Sequence, residues 1–554
     1  MTRGLKLRWQ DLAAVLALAG VLWVVDGSVT GWGFFSDDDP IILAYAMAHS
    51  PLAYFFDPQS WRDLTTANLT PWLVLDFDVD HALFGLDAAG YYGHVLLSLA
   101  LCAGLLYVIL QRFTSRFWAF AGAALFILSP PTVILAHQLM SRHYVSGLMF
   151  SLVSLFFFLG ALDCTEARQG RIRAWLGAGA YLLALSSKEV FALLPLILLA
   201  MPQGRVLGRI RGLLPYGIGA LTYLFWRHWM LGEWVGGYGA AGPISIAPVL
   251  HHFGQLPRAL SGGDTRASLI VGFALLALAG ALYLRPRGLP LLLAALTAVL
   301  LPLVPVHGGL LGTPRYQFVP ALLCVVMVVL SLDTISREKP VLRGPAGLFV
   351  LMLGLRCYLL AHQNVIDVAQ QAHRAQVLEQ PLWSGDATQL VWLPEEVPYQ
   401  QVKGIQEIRE SVHPGQGGPQ FIYDEIQLKH LQHPFQTVWR YDETRKGYVD
   451  YGKQLPGAIA AWHESLRQAP FSLGIGYDAA SSFLNWRVGP PRQGRYEFVS
   501  VGGSKVPINA VGAARVHIAN PDFYMRYNAP EGWVSYTDLL TIPKNGTLYW
   551  ERGE

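Results

Sequence analysis

Apolar stretches long enough to cross a bilayer recur from residue 9 to residue 361 and leave little choice of architecture. A helix rising ~1.5 Å per residue needs about 20 apolar residues to cross the ~30 Å hydrocarbon core. Stretches of that kind lie near 9–30, 93–110, 117–135, 143–162, 174–187, 189–202, 213–231, 267–284, 289–306, 317–334 and 345–361. The two between 174 and 202 are short and suit tilted or partly re-entrant helices. With 53% hydrophobic and 14% charged residues, the composition belongs to a polytopic membrane protein rather than an ordinary soluble enzyme. We therefore expect about 11 transmembrane helices, the count at which the apolar runs stop.

Charge orients these helices. If the N-terminus, with Arg3, Lys6 and Arg8, is cytoplasmic, alternate connections return there carrying Arg112 and Arg116, Arg168, Arg171 and Arg173, and Arg205, Arg209 and Arg211. Arg285 and Arg287, then Arg337, Lys339 and Arg343, continue the series. The opposite connections hold far fewer basic residues, as the positive-inside rule requires. An odd count of spans places 362–554 outside the cytoplasm. No small-residue cleavage site follows the first span, so it is expected to remain as an anchor. Cys102, Cys164, Cys324 and Cys357 all fall in or beside spans, which excludes a disulfide framework in the exterior region and gives no zinc spacing. The net charge of +3 sits mostly in the cytoplasmic loops and does not argue for nucleic acid.

The outside connections concentrate the chemistry. Asp37, Asp38 and Asp39 follow the first span directly, and carboxylates kept at a membrane boundary are functional candidates by default. The first outside loop, 31–92, is long and aromatic, with stretches near 51–56 and 72–77 that suit short amphipathic helices. Asp76, Asp78 and Asp80 alternate beside His81 at strand-like spacing, a pattern open to metal binding but more often simply solvated. Later connections bring His137, Arg142, His143 and Tyr144, then Lys188 and Glu189, then Tyr238, then His307, Arg315 and Tyr316. Each alone reads as a snorkelling anchor or a neutralised pair. Together they put acids, cations and imidazoles on one side, as an outward-facing site for an anionic substrate requires.

The order of these motifs resembles the GT-C superfamily of integral-membrane glycosyltransferases, of the protein O-mannosyltransferase, tetratricopeptide-containing mannosyltransferase and aminoarabinose transferase type. The resemblance covers roughly 10–335. Asp37 and Asp38 stand before Pro40 as the acidic pair after the first span. Asn68 and Pro71 match the Asn/Pro segment, and His94 the second span. Pro130 and Pro131 followed by Arg142 match the Pro motif and Arg turn. Ser187, Lys188 and Glu189 match a Ser-Lys-Glu triplet, and Arg315, Tyr316 and Pro320 a late Arg-Tyr…Pro element. Three aspartates stand where a pair is expected, so the register of the base is open, and no tetratricopeptide repeats follow.

The resemblance implies a GT-C catalytic domain over 1–361 that transfers a sugar from a polyprenyl-phosphate donor to a hydroxyl on a protein, lipopolysaccharide, other glycan or lipid. An aspartate among Asp37, Asp38 and Asp39 would serve as general base, with inversion at the anomeric carbon. Arg142, Lys188 and Arg315 would hold the donor phosphate. His94, His137, His143, Glu189, Tyr238, His307 and Tyr316 complete the candidate site. No cofactor is required by this scheme; a divalent cation (Mg or Mn) held by the paired acids is the one option, and no metal ligands are assigned. The expected location is the inner membrane, with the N-terminus cytoplasmic and an α+β domain, 362–554, in the periplasm. Two other classes share parts of the pattern. O-antigen ligases or polymerases, using polyprenyl-diphosphate glycans, do not characteristically need the acidic group after the first span. Transporters tend to carry internal repeats and mid-membrane charges.

In the exterior region, alternating runs near 420–424, 437–441, 495–501, 514–518 and 547–551 read as strands, with one helix near 458–468. Trp439, Tyr441, Trp486, Tyr524 and Trp533 are either sugar-stacking or core residues.

Overall fold

A computed structural model describes residues 8–553, apart from 36–37, 66–67, 236–245, 255–256, most of 258–287, 307–310, 312, 432–434, 479–482 and 516–520. The chain divides into two compact units, Met1–Ala372 and His373–Glu554.

The first unit is helical. Among the described residues, five helices are long and apolar enough to cross a membrane: Trp9–Gly31, Ala88–Leu110, Leu139–Leu162, Pro314–Glu338 and Pro340–Ser384. A sixth is counted if Arg116–Leu128 and Pro130–Ala136, bent by 58°, form one span. This integral-membrane architecture contains fewer such helices than the eleven apolar runs, for identifiable reasons. Arg168, Arg171 and Arg173 dilute the helix Ala167–Ser187, and Arg209 and Arg211 dilute Val206–Leu231. The run 189–202 is divided between a 3-10 turn, Glu189–Phe191, and the short helix Leu194–Ala200. The run 267–284 lies mostly outside the described residues.

Local chemistry sets the breaks. Pro130 and Pro131 lack the N–H that would continue the preceding helix, and Pro130 drives Ser129 to an extended backbone. In the first loop, α1 (Trp9–Asp26) is followed by α2 (Asp39–Ala48), α3 (Pro51–Phe56), α4 (Pro58–Leu64) and α5 (Pro71–Phe84). Proline stands at the start of each from α2 to α5, where its missing N–H costs nothing. Gly85, at φ 60°, ends α5 in a conformation that side chains rarely adopt. The strand-like spacing of Asp76, Asp78 and Asp80 is thus helical, and Asp76 and Asp80 share one face as i and i+4.

The remaining helices that build the site are α6 (Ala88–Leu110), α7 (Arg116–Leu128), α8 (Pro130–Ala136), α9 (Arg142–Leu162), α10 (Ala167–Ser187), α11 (Leu194–Ala200) and α12 (Val206–Leu231). The first loop is tied down over them. Arg62 Nε donates to the Met230 carbonyl at 2.8 Å, Trp226 Nε1 to Phe55 O at 2.7 Å, and Trp72 Nε1 to Ser186 Oγ at 2.7 Å. Backbones approach closely at Gly177, where a Cβ would stand 2.2 Å from the buried Tyr216 hydroxyl and 3.2 Å from the Ser154 carbonyl.

In the second unit, β1 (Gln389–Trp392) lies between β2 (Gln420–Ile422) and β3 (Thr437–Asp442), parallel to both, and β4 (Gly447–Asp450) closes a hairpin on β3. The helix Tyr399–Val412 connects β1 to β2 and buries Val402, Ile405 and Ile408. The runs 420–424 and 437–441 are β2 and β3; β1 and the parallel pairing were not legible in the alternation. The later strands are β5 (Phe471–Asp478), β6 (Phe483–Gly489), β7 (Arg495–Ser500), β8 (Lys505–Ile508), β9 (Val511–Arg515), β10 (Asp522–Asn528), β11 (Val534–Tyr536), β12 (Leu540–Thr541) and β13 (Asn545–Arg552). They form two antiparallel sheets, β11-β10-β7-β8 and β13-β5-β6-β9. Leu473 and Ile475 of one sheet and Phe523 and Met525 of the other share one apolar cluster. The expected helix is Leu455–Ser465. Trp439, Tyr441, Trp486, Tyr524 and Trp533 all pack against apolar clusters.

A charge network crosses this unit. Lys505 Nζ lies 2.9 Å from Glu395, and Arg495 reaches Glu395 at 2.5 Å and Glu497 at 2.8 Å. Partial burial opposes ionisation of Glu395, but Lys505 and Arg495 outweigh it and hold the carboxyl below its usual range. A carboxyl depressed in the folded state adds stability above its unfolded pKa, and that stability is lost as pH falls through the lowered value. We expect Glu395→Gln to flatten the acid limb of the unfolding curve of the full chain, read as Tm against pH between about 3 and 6. Gly177→Ala is expected to cost about 1–3 kcal/mol, measured as a lower Tm in detergent, because the Tyr216 hydroxyl has to move.

Candidate functional site

The site is organised at the start of α9. The 3-10 turn Leu139–Ser141 leads into Arg142, and helix starts leave N–H groups without intrahelical acceptors. Asp39, fully buried at the start of α2, supplies one: its Oδ1 accepts from the Met140 N–H at 2.9 Å. Arg142, itself buried, reaches the face of α5 that carries the i, i+4 acids. Its Nη1 is 2.6 Å from Asp80 Oδ2, and its Nε is 3.5 Å from Asp76 Oδ2. Asp76 Oδ2 also accepts from Ser146 Oγ at 2.9 Å, one turn along α9.

His94 of α6 joins this cluster. Its Nδ1 lies 2.7 Å from Asp80 Oδ1 and 2.8 Å from Arg142 Nη2. One ring nitrogen can donate to the carboxylate or accept from the guanidinium, not both. The imidazole is therefore oriented by whichever partner it takes, and its proton follows that choice. The Arg142 guanidinium also stacks over Phe77, 5.5 Å from the ring centroid.

A second group gathers at the end of α10. Lys188 leaves the helix in an extended conformation and is buried, its ammonium 5.3 Å from the Tyr144 ring centroid. Tyr144 meets Tyr316 edge to face at 6.1 Å, and the Arg315 guanidinium lies 5.5 Å from the Tyr316 ring. The buried His143 ring lies within the field of both Lys188 and Arg315.

Beside them opens a cavity of about 440 Å³ with Lys188, Glu189, Arg227 and Tyr316 in its wall. Leu185, Leu221, Leu224, Pro302 and Val306 supply an apolar remainder. Glu189 Oε1 accepts from Arg227 Nε at 2.6 Å and from the Tyr223 hydroxyl at 3.1 Å. Such a cavity can hold an anionic head against cations and a hydrocarbon chain against leucines.

The expected residues thus fall into groups. Arg142 and His94 belong to the carboxylate cluster on α5; the guanidinium expected to grip a phosphate is engaged by Asp80 and Asp76. Lys188, Glu189 and Tyr316 line the cavity, and Arg315 and His143 stand next to it. Asp38 occupies the N-cap position of α2 and is exposed, while its neighbour Asp39 is buried. His137 is elsewhere: its Nδ1 is 2.5 Å from the Val133 carbonyl, its Nε2 is 3.8 Å from the buried Asp26, and its ring meets Trp32 at a tilt of 35°. Asp37, Tyr238 and His307 lie outside the described residues. Among the described residues, no group of three or more His, Cys, Asp and Glu is disposed to hold a metal ion.

Four participants escaped the sequence reading. Asp76 and Asp80 were visible only as alternating acids, because period two hid the i, i+4 relation. Arg227 carried a usable signal, a charge inside the apolar run 213–231. Tyr223, one turn before it, carried none.

Asp80→Asn leaves the buried Arg142 short of its closest counter-charge. It is expected to destabilise the protein by about 3–5 kcal/mol, whereas the double change Asp80→Leu with Arg142→Met recovers much of the loss. Thermal unfolding of the wild type and the two variants in one detergent checks this.

No protein-family model matches the chain, and no curated protein matches it significantly. Among solved structures it is similar to the crystal structure of ArnT from Cupriavidus metallidurans bound to undecaprenyl phosphate, with 13% identity and a TM-score of 0.46 over 80% of this chain and 94% of that one. It is similar to the apo state of the same protein at 15% identity and a TM-score of 0.44, with the same coverage. At that level the overlap is loose, and the chemistry of the site rests on the residues described above.

Proposed function

We propose that this chain is an integral-membrane glycosyltransferase of the GT-C type, moving a sugar from a polyprenyl-phosphate donor to an acceptor hydroxyl outside the cytoplasm. The observation that carries this reading is the cavity in which Lys188 and Arg227 stand beside apolar walls. A polyprenyl phosphate has that combination of one anionic group and a long hydrocarbon chain. The motif order from Asp37 to Tyr316 supports the same class.

In the proposed reaction, Asp38 takes the proton of the acceptor hydroxyl. The oxygen forms a bond to the anomeric carbon as the bond from that carbon to the phosphate oxygen breaks. The electron pair leaves with the lipid phosphate, and the anomeric centre inverts. Exposure favours Asp38 over Asp39 as the base, because a base has to reach its proton. Asp39, buried on the Met140 N–H, acts as a positioning residue for the turn before Arg142. Lys188, with Arg315 nearby, would stabilise charge on the departing phosphate, commonly a large catalytic term in a dry site. The acceptor is a hydroxyl on a glycan, lipid or protein, and the second unit would stand on the acceptor's side, in the periplasm.

The test is transfer by the purified full chain in nanodiscs from a panel of radiolabelled polyprenyl-monophosphate sugars. We expect turnover with one donor, lowered about 10²–10³-fold in Lys188→Met and about 10²–10⁴-fold in Asp38→Asn, with folding retained. An EDTA-treated arm reports whether a divalent cation takes part. Transfer only from a diphosphate-linked glycan would replace this reading with that of a ligase or polymerase.

A further inference from the structure

A second cavity, of about 770 Å³, opens at the other end of the α11 segment, between α11, the first turns of α12 and the helix Gly288–Leu300. Its walls include Leu196, Leu199, Pro202 and Leu293, and one charged side chain, Arg209, lines it. Three observations indicate what fills it.

The first is length. The apolar helical segments Glu189–Ala200 and, over its described residues, Gly288–Leu303 rise only about 18 Å and 24 Å, short of a ~30 Å hydrocarbon core. Short apolar segments leave hydrocarbon thickness that surrounding lipid can fill. The second is exposure. Leu196, Leu199 and Leu293 of the groove wall are exposed, which in a membrane protein means toward lipid. The third is charge. The segments 194–211 and 288–306 contain no Asp or Glu, whereas Arg205, Arg209 and Arg211 follow one another on the incoming turns of α12.

Arg209 is already oriented. Its Nη1 donates to the Met201 carbonyl and, at 3.1 Å, to the Gln203 carbonyl, which fixes the plane of the guanidinium. Its Nε is buried and has no hydrogen-bond partner among the described residues. The guanidinium lines the groove, and a fixed guanidinium is suited to forked recognition of phosphate oxygens.

We infer that this groove is a binding site for an anionic glycerophospholipid, with the phosphate on Arg209 and an acyl chain along Leu199 and Leu293. The lipid fills the hydrocarbon layer that the short helices leave open. The site is separate from the donor cavity and does not depend on the proposed reaction.

Native mass spectrometry of the purified full chain, delipidated and then titrated with phosphatidylglycerol or phosphatidylcholine, tests it. The wild type should retain one phosphatidylglycerol in preference to phosphatidylcholine, and Arg209→Gln should weaken that binding about tenfold or more. Leu293→Trp fills the groove from an exposed position and leaves Arg209 in place, so it should expel the lipid even if Arg209→Gln folds poorly. Equal retention of both lipids by the wild type, or unchanged phosphatidylglycerol binding in Leu293→Trp, would overturn the inference. Displacement of phosphatidylglycerol by polyprenyl phosphate at equal concentration would also overturn it, by making the groove a second donor site.

Discussion

Arg142 stands at the first position of α9, where the helix already presents partial positive charge, and it is buried. Desolvation and dipole both oppose a cation there, so its place in the fold depends on the carboxylates that meet it. Asp80 and Asp76 converge on it from one face of α5, Asp39 occupies the N–H of Met140 just before it, and His94 closes the remaining side. The first loop is therefore not a loose connection. It contributes the counter-charges without which the start of α9 has no stable arrangement.

The same turn positions the second group. His143 and Tyr144 follow Arg142 directly, and Tyr144 is the surface on which Lys188 rests. The break between α10 and α11 brings Lys188 and Glu189 there, and Trp72 holds that break from the first loop through Ser186. Glu189 in turn fixes Arg227, so the cations in the cavity wall are arranged by partners that are themselves anchored. Proposed catalysis and demonstrated packing share one set of interactions, and removing a counter-charge is expected to disturb both.

Much of this was legible in the sequence, unevenly. The apolar runs located the helices because burial in hydrocarbon needs length and composition, both of which are local. The prolines at 71, 130 and 131 were legible only as motif residues; that they start helices and divide the run 117–135 came from the structure. Lys188, Glu189, Arg315 and Tyr316 were visible as charges and aromatics at span ends. Arg142 was visible too, but its partners were not: the strand-like spacing of Asp76, Asp78 and Asp80 hid the i, i+4 relation of Asp76 and Asp80. In the second unit, alternation found β2, β3, β7 and β13, while β1 carried no such pattern and the parallel pairing of β1 with β2 and β3 was not legible.

The sequence by itself determined that the chain is built of apolar helices followed by a polar, strand-rich unit, and which residues carry charge at the helix ends. These properties follow from composition and from the period of the backbone. Only the tertiary structure decided who neutralises whom: that Arg142 belongs to Asp80, that Glu189 belongs to Arg227, and that Lys188 lines a cavity. Such pairings join residues tens of positions apart. Their energy depends on distance and burial, which no local pattern of residues encodes.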